Sequence, residues 1–244
     1  MTGVVALVTG GNRGIGQAFV EELLEQGAKV YAGSRDPADV HTEGATPVRL
    51  DITDPSSVAA AAGQCADVTL LVNNAGLFTN TRLVLSEDPD AARAEMEVNY
   101  FGTLAMTRAF APVLGANGGG QIINVLSVAA IVPTAFMGGY SPAKAAALFL
   151  SGITRAELEP QGTKVTALIV GSVDTRMAEH VDGHKEDPRD IAKAGLKAAA
   201  KGEWTADTDW MAVDARARLA RDPVRYERGL GRLVHKTVLR TGRD

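Results

Sequence analysis

The stretch Thr9-Gly10-Gly11-Asn12-Arg13-Gly14-Ile15-Gly16 constrains the fold of this chain more than any other. It lies between an apolar, β-prone run at residues 4–8 and a helical pattern at 14–26, in which Ile15, Phe19 and Leu23 recur every fourth residue. Gly27 marks the helix stop. A strand that turns through glycines straight into a helix is the first unit of an open parallel α/β sheet. The glycines have a physical reason. Backbone without a Cβ lets an anion approach, and the free N–H groups and dipole of the helix start face it. The loop therefore reads as a dinucleotide phosphate site formed by Gly10, Asn12, Arg13, Gly14, Ile15 and Gly16; the plain alternative is a tight turn without a ligand.

The rest of the chain repeats the alternation. Strand candidates lie at 4–8, 29–32, 47–50, 68–72, 121–126 and 164–170, several of them apolar on both faces as buried parallel strands are. Helical patterns lie at 14–26, from Asp54-Pro55 onward, at 88–114 and at 140–159. This predicts an α/β fold, a Rossmann-type doubly wound parallel sheet of six to seven strands with helices on both faces, in a single domain over 1–244. The segment 176–203 is polar and interrupted by Pro188. Beyond it the pattern is helical, at 209–221 and 223–236, so 206–244 reads as a helical extension with no convincing final strand; 202–205 is at most a remnant of one.

Composition excludes several classes. With 45% hydrophobic and 22% charged residues the chain is neither disordered nor fibrous. The single cysteine, Cys65, rules out an intrachain disulfide and suits a reducing, cytoplasmic setting. No apolar run reaches the roughly 18 residues of a membrane span. No secretory signal pattern precedes the first strand. The net charge of −4 offers no general attraction to nucleic acid or acidic membranes. Nine Lys/Arg against four Asp/Glu from Ala212 onward read as a solvated face or a subunit contact.

The second strand ends in Gly33-Ser34-Arg35. A carboxylate at this place would hold a ribose 2′-hydroxyl; Ser34 stands there instead, and the Arg35 guanidinium suits a 2′-phosphate, with Arg13 in reach of the same group. The cofactor expected is NADP(H) in preference to NAD(H). Asp36, if turned inward, would oppose this reading.

Tyr140 and Lys144 stand one turn apart on a helix face. A nearby ammonium stabilises a phenolate, so the lysine is expected to lower the tyrosine's pKa and make it an acid/base for alcohol–carbonyl interconversion. Ser127 lies just past the strand at 121–126, where such sheets bind ligands, and its hydroxyl would support a developing alkoxide. Taken alone it is an ordinary capping serine.

Together these residues resemble the short-chain dehydrogenase/reductase family in its single-domain branch, over roughly residues 4–177. Further motifs follow in the family's order: Asp51 in Leu50-Asp51-Ile52, then Asn73-Asn74-Ala75-Gly76, then Asn99. The resemblance implies that Tyr140 is the acid/base and that Lys144 also holds the nicotinamide ribose. Ser127 would polarise the carbonyl, and Asn99, in the middle of the long helix, would anchor a water in a proton relay. Asp51 and Ile52 would flank the adenine, while Asn73, Ala75 and Gly76 would shape the ribose side and support the sheet. Gly171, Val173 and Thr175 would lie by the nicotinamide amide, and 176–205 would form a mobile substrate lid. Val170 replaces a proline usual in the family, which predicts looser placement of that loop. A homo-oligomer, dimer or tetramer, is implied, although the family's usual ending is missing.

The expected activity is NADP(H)-dependent oxidoreduction of a small-molecule carbonyl or alcohol, in the manner of a ketone or aldehyde reductase. Phe78, Val128, Phe136, Met137 and Met177 are the substrate-side candidates, and their apolar character suits a hydrophobic ketone or aldehyde. The alternatives are a non-catalytic NADP-binding sensor, or an epimerase or dehydratase using the same site. His180 and His184 have metal-ligand spacing without a fixed third ligand, so no metal is expected.

Overall fold

Runs apolar on both faces become the central strands. In the computed structural model, which describes residues 3–241 and side chains through 234, seven strands form one parallel sheet in the order β3-β2-β1-β4-β5-β6-β7. They are β1 (Val5–Thr9), β2 (Lys29–Ser34), β3 (Thr46–Arg49), β4 (Leu70–Asn73), β5 (Gln121–Val125), β6 (Lys164–Ile169) and β7 (Thr205–Asp207). Alternate residues serve opposite faces. Leu7, Leu71 and Ile122 meet Val58 of α2 (Pro55–Gln64) and Met106, Phe110 and Leu114 of α4 (Thr103–Ala116). Val8, Val72 and Ile123 meet Phe19 and Leu23 of α1 (Gly14–Glu25) and Ile191 and Leu196 of α6 (Pro188–Ala200). Each such side chain taken wholly out of water stabilises the fold by about 1.5–3 kcal/mol. A third cluster joins Leu126 and Ile169 to Ala147 of α5 (Tyr140–Leu158) and Ala212 of α7 (Trp210–Arg221). The last helix is α8 (Pro223–Thr241). Residues 242–244 of the expected extension lie outside the described residues. Among those described, no helix is long and apolar enough to cross a membrane.

Strand order reverses between β1 and β4. In open sheets of this kind ligands bind at such a switch point, in a crevice beyond the carboxyl ends of the strands.

Three elements differ from the sequence expectations. A seventh strand does exist: β7 pairs with β6, Ala167 opposite Thr205 and Ile169 opposite Asp207. It escapes a pattern search because it is three residues long and only Ala206 is buried. The helix expected at 88–114 divides into α3 (Ala91–Met96), a wide π turn at Glu97–Gly102, and α4. The Asn99 side chain enters the helix's own bonding there, with Nδ2 donating to Glu95 O at 2.8 Å. The span 176–205 contains α6, whose Ile191, Ala192 and Leu196 are core. Arg189 of α6 is clamped to α1 by Glu22 and Glu25, at 2.6 and 2.7 Å.

Candidate active site

The glycine loop follows β1 into the crevice. Gly10 and Gly14 have φ of +63° and +55°, in the left-handed region that favours glycine. A Cβ on Gly16 would lie 2.1 Å from Gly10 O and 2.4 Å from Asn74 Nδ2. The loop is held from β4. Thr9 Oγ1 accepts the N–H groups of Asn74 and Ala75, both at 2.9 Å, and Asn74 Nδ2 donates to Thr9 O at 3.0 Å and Gly10 O at 3.3 Å. Helix α1 begins without a side-chain cap and without an acid in its first turn, so its free N–H groups are open to an anion. Arg13 and Asn12 stand at this entrance, and Ile15 packs inward against the core. A cradle that a Cβ would fill, placed at an uncapped helix start, fits a dinucleotide.

Ser34 closes β2 and is buried, whereas Arg35 is exposed. Among the described residues neither Arg13 nor Arg35 makes an ion pair. Asp36 turns outward, its Oδ1 accepting Ala38 N–H at 3.0 Å as the cap of a short turn. Asp51 Oδ1 is engaged by Thr53 N and Oγ1. Ile52 is buried, and its Cδ1 would lie 2.7 Å from a Cβ on Gly102.

Asn73 turns into the sheet. Its Nδ2 donates to Asn124 Oδ1 at 2.9 Å, and Asn124 Nδ2 donates to Ser151 Oγ at 2.8 Å, a polar chain from β4 through β5 to α5. Gly76 separates Asn99 from Lys144, since a Cβ there would lie 2.9 Å from Asn99 Oδ1 and 3.7 Å from Lys144 Nζ. Both amide hydrogens of Asn99 are committed, to Leu77 O and Glu95 O at 2.8 Å each, and Oδ1 accepts Leu77 N–H at 3.2 Å. These bonds fix the corner at Leu77.

Tyr140 opens α5 and Lys144 follows one turn on, with Nζ 5.5 Å from the tyrosine ring centroid and donating to Val125 O at 3.0 Å. Ser127 Oγ accepts Ala129 N–H at 3.2 Å, and its hydroxyl reaches the Tyr140 phenol. The expected lowering of the Tyr140 pKa is not found. Burial pushes this phenol up to about 12; the hydrogen bond with Ser127 opposes the rise, and the Glu95 charge adds to it. Burial also pulls Lys144 down to about 8. Both charged forms are disfavoured away from water.

The loop expected to be loose at Val170 is pinned instead. Gly171 N–H donates to Asp209 Oδ2 at 2.7 Å, and Glu186 exchanges backbone hydrogen bonds with Ser172 and Asp174, both 2.9 Å. Val173 is buried, and Thr175 Cγ2 would lie 3.1 Å from a Cβ on Gly14, which brings this loop onto the glycine loop.

Of the substrate-side candidates, Phe78 meets Tyr140 edge-on, centroids 5.4 Å apart. His180 lies 5.4 Å beyond Phe78. Val128 packs into the core cluster around Leu126, while Phe136 and Met177 are exposed and Met137 is partly so. The two histidines part company: His184 goes to Glu186 at 3.2 Å. Sequence reasoning missed Thr9, Asn74, Glu95 and Asp209. The first two lie inside motifs already noticed, and Glu95 stands one helical turn before Asn99. Asp209 is 38 residues from its partner Gly171, beyond any local signal.

Comparison with known proteins agrees with this geometry. The family model described as short chain dehydrogenase matches residues 4–186. A 3-oxoacyl-acyl-carrier-protein reductase, FabG, of Vibrio cholerae is 30% identical over 217 residues, covering 80% of this chain and 88% of the relative. A solved short chain dehydrogenase of Burkholderia cenocepacia, in complex with NADP, superposes with a TM-score of 0.90 at 43% identity, over 94% of this chain and 99% of that one. A 3-ketoacyl-(acyl-carrier-protein) reductase of Brucella melitensis complexed with NADH gives 0.76 at 26% identity, over 85% and 95%.

Proposed function

The chain belongs to the short-chain dehydrogenase family of oxidoreductases, and from that premise we propose that it is an NADP(H)-dependent reductase of ketones or aldehydes, with Tyr140 as its proton donor. The observation that carries this reading is geometric: Tyr140 is buried at the start of α5, beside the Ser127 hydroxyl at the carboxyl end of the sheet, with the buried Lys144 Nζ 5.5 Å from its ring. A phenol so placed can pass a proton to a developing alkoxide.

The residues divide the work by position. Gly10, Asn12, Arg13, Gly14, Ile15 and Gly16 receive the cofactor's phosphates at the start of α1. Ser34 leaves room for a 2′-phosphate, and Arg35 with Arg13 pairs with it. Asp51 and Ile52 border the adenine, and Asn73, Ala75 and Gly76 with Lys144 border the nicotinamide ribose. Gly171, Val173 and Thr175 border the amide. The bound nicotinamide supplies or accepts the hydride. Ser127 turns its hydroxyl to the carbonyl oxygen when substrate is bound, Tyr140 delivers a proton to that oxygen, and Asn99 keeps the Gly76–Leu77 corner in place beside Lys144. Phe78 gives the substrate an apolar wall. The stretch 176–187, not the whole of 176–205, serves as the lid, because α6 is built into the core.

The test is NADPH oxidation, followed at the reduced nicotinamide absorbance, over a panel of ketones, aldehydes, diones and quinones. Turnover that is lost in Tyr140→Phe supports the reading. Tight NADPH binding without turnover on any carbonyl overturns it in favour of a sensor, and conversion without net NADPH consumption favours an epimerase or dehydratase. Phe149 and Ile153, exposed one turn apart on α5, support a homo-oligomer; a monomeric mass in sedimentation would contradict it.

A further inference from the structure

Asn117-Gly118 is the one place in this chain where glycine follows asparagine. Asparagine is a thermolabile residue, and glycine has no Cβ to shield its backbone nitrogen from reaction. Gly118 N can form a bond to Asn117 Cγ. Nδ2 then leaves as ammonia, taking the proton that Gly118 N gives up. Water opens the resulting cyclic imide at either carbonyl, which restores the N–H and leaves aspartate or isoaspartate. A water enters, an ammonia departs, and nothing is oxidised or reduced.

The fold holds both reacting groups. Asn117 follows the last residue of α4, and its Nδ2 donates to Ala66 O at 2.8 Å and to Val68 O at 3.2 Å. The helix end is thereby tied to the segment that leads into β4. Gly118 N–H donates to Gly115 O at 3.3 Å. The leaving amide and the attacking nitrogen are thus both engaged while the last turn of α4 stays wound. Access is otherwise open. Both residues are exposed, and a Cβ on Gly118 would meet nothing within 4 Å. Helix ends open locally at low cost, and each opening frees the pair.

The products cannot restore the tie. A carboxylate has no hydrogen to offer Ala66 O and Val68 O, and it stands at the negative end of α4. Isoaspartate also adds a carbon to the main chain just before Gly119 and Gly120, whose φ values are +99° and +62°. There is no slack at these two: a Cβ on Gly119 would lie 2.6 Å from Gln161 O, and one on Gly120 would press on Thr69 O.

We propose that Asn117-Gly118 is a spontaneous deamidation site gated by fraying of the last turn of α4, and that its products loosen the amino ends of β4 and β5 while leaving the crevice at their carboxyl ends as it is. The site sets how the protein ages, whatever its substrate.

The test ages the whole protein at mildly alkaline pH. Peptide mass spectrometry locates each amide-to-acid exchange, and an isoaspartate-specific methyltransferase labels the isomer. Residue 117 is expected to change before any other asparagine. Its rate is expected to rise about tenfold or more when the chain is held unfolded in urea. Asn117→Asp imitates one product, and its unfolded-to-folded ratio at a fixed urea concentration is expected to rise about fivefold, with NADPH affinity unchanged. The urea curve of aged wild type moves toward that of Asn117→Asp, and that of Asn117→Gln, whose longer side chain closes the ring poorly, stays in place on ageing. An unmodified residue 117 in protein that has deamidated elsewhere overturns the site. Equal rates in folded and unfolded chain overturn the gate. Wild-type stability in Asn117→Asp, or a loss of its NADPH affinity, overturns the stated consequence.

Discussion

Asp209 serves two backbone groups with one carboxylate: Oδ2 accepts Gly171 N–H at 2.7 Å and Oδ1 accepts Ala212 N–H at 3.0 Å. The first bond pins the loop beyond β6, and the second caps α7. Asp209→Ala is expected to lower stability by about 1–3 kcal/mol and to weaken NADPH binding about threefold or more, with Asp209→Asn recovering part of both. Urea denaturation and a fluorescence titration measure the two effects. Unchanged affinity in a destabilised variant would show that the loop holds its place without this anchor.

Gly16→Ala places a methyl against backbone rather than against a flexible side chain. Gly10 O lies 2.1 Å from the new atom. Overpacking of this kind costs about 1–3 kcal/mol, so NADPH affinity is expected to fall about tenfold or more. Calorimetric titration reads it, and wild-type affinity would mean that the loop can shift freely.

Cofactor choice rests on an exposed pair. Arg35→Asp replaces an unpaired guanidinium by a carboxylate at the end of β2. The NADPH-to-NADH affinity ratio is expected to fall about tenfold or more, because a carboxylate repels a 2′-phosphate and accepts from a 2′-hydroxyl. Arg13→Ala is expected to lower NADPH affinity alone. If the ratio stays level in both variants, these arginines do not read the phosphate.

Stability should depend on pH through Lys144. Burial pulls its pKa from 10.5 to about 8, so between these values the unfolded chain holds more protons and folding is favoured as pH rises. Tyr140, raised from 10.0 to about 12, works in the opposite direction above about pH 10. From about pH 7.5 to about pH 9.5 the wild type is expected to gain about 2 kcal/mol relative to Lys144→Met. Denaturation midpoints at both pH values decide this, and a constant difference would contradict it.

The sheet and the glycine loop were legible because their signals are local. Val8 and Leu7 show their opposite faces by adjacency, and Gly10 and Gly14 stand where a strand must turn into a helix. Tyr140, Lys144 and Ser127 were legible as a pattern, but their electrostatics were not. Burial decides the sign of the tyrosine's shift, and burial depends on what the fold packs over α5. Asp209 and Gly171, or Glu95 and Thr79, meet only through tertiary contact, so no spacing reveals them. β7 hides for another reason: three residues flanking Ala206 carry too little apolar pattern to be told from a loop.

The wide turn at Glu97–Gly102 has a consequence for how this stretch can change. Removing one residue would restore regular winding and improve the helix's own bonding. It would also rotate everything upstream by about 100° relative to α4. Glu95 would leave the start of α5 and Asn99 would leave Leu77, while Met106 and Phe110 kept their places in the core. The length of this segment thus sets the aim of two polar side chains, and a single-residue deletion here is expected to part Glu95 from Thr79 and Asn99 from Leu77.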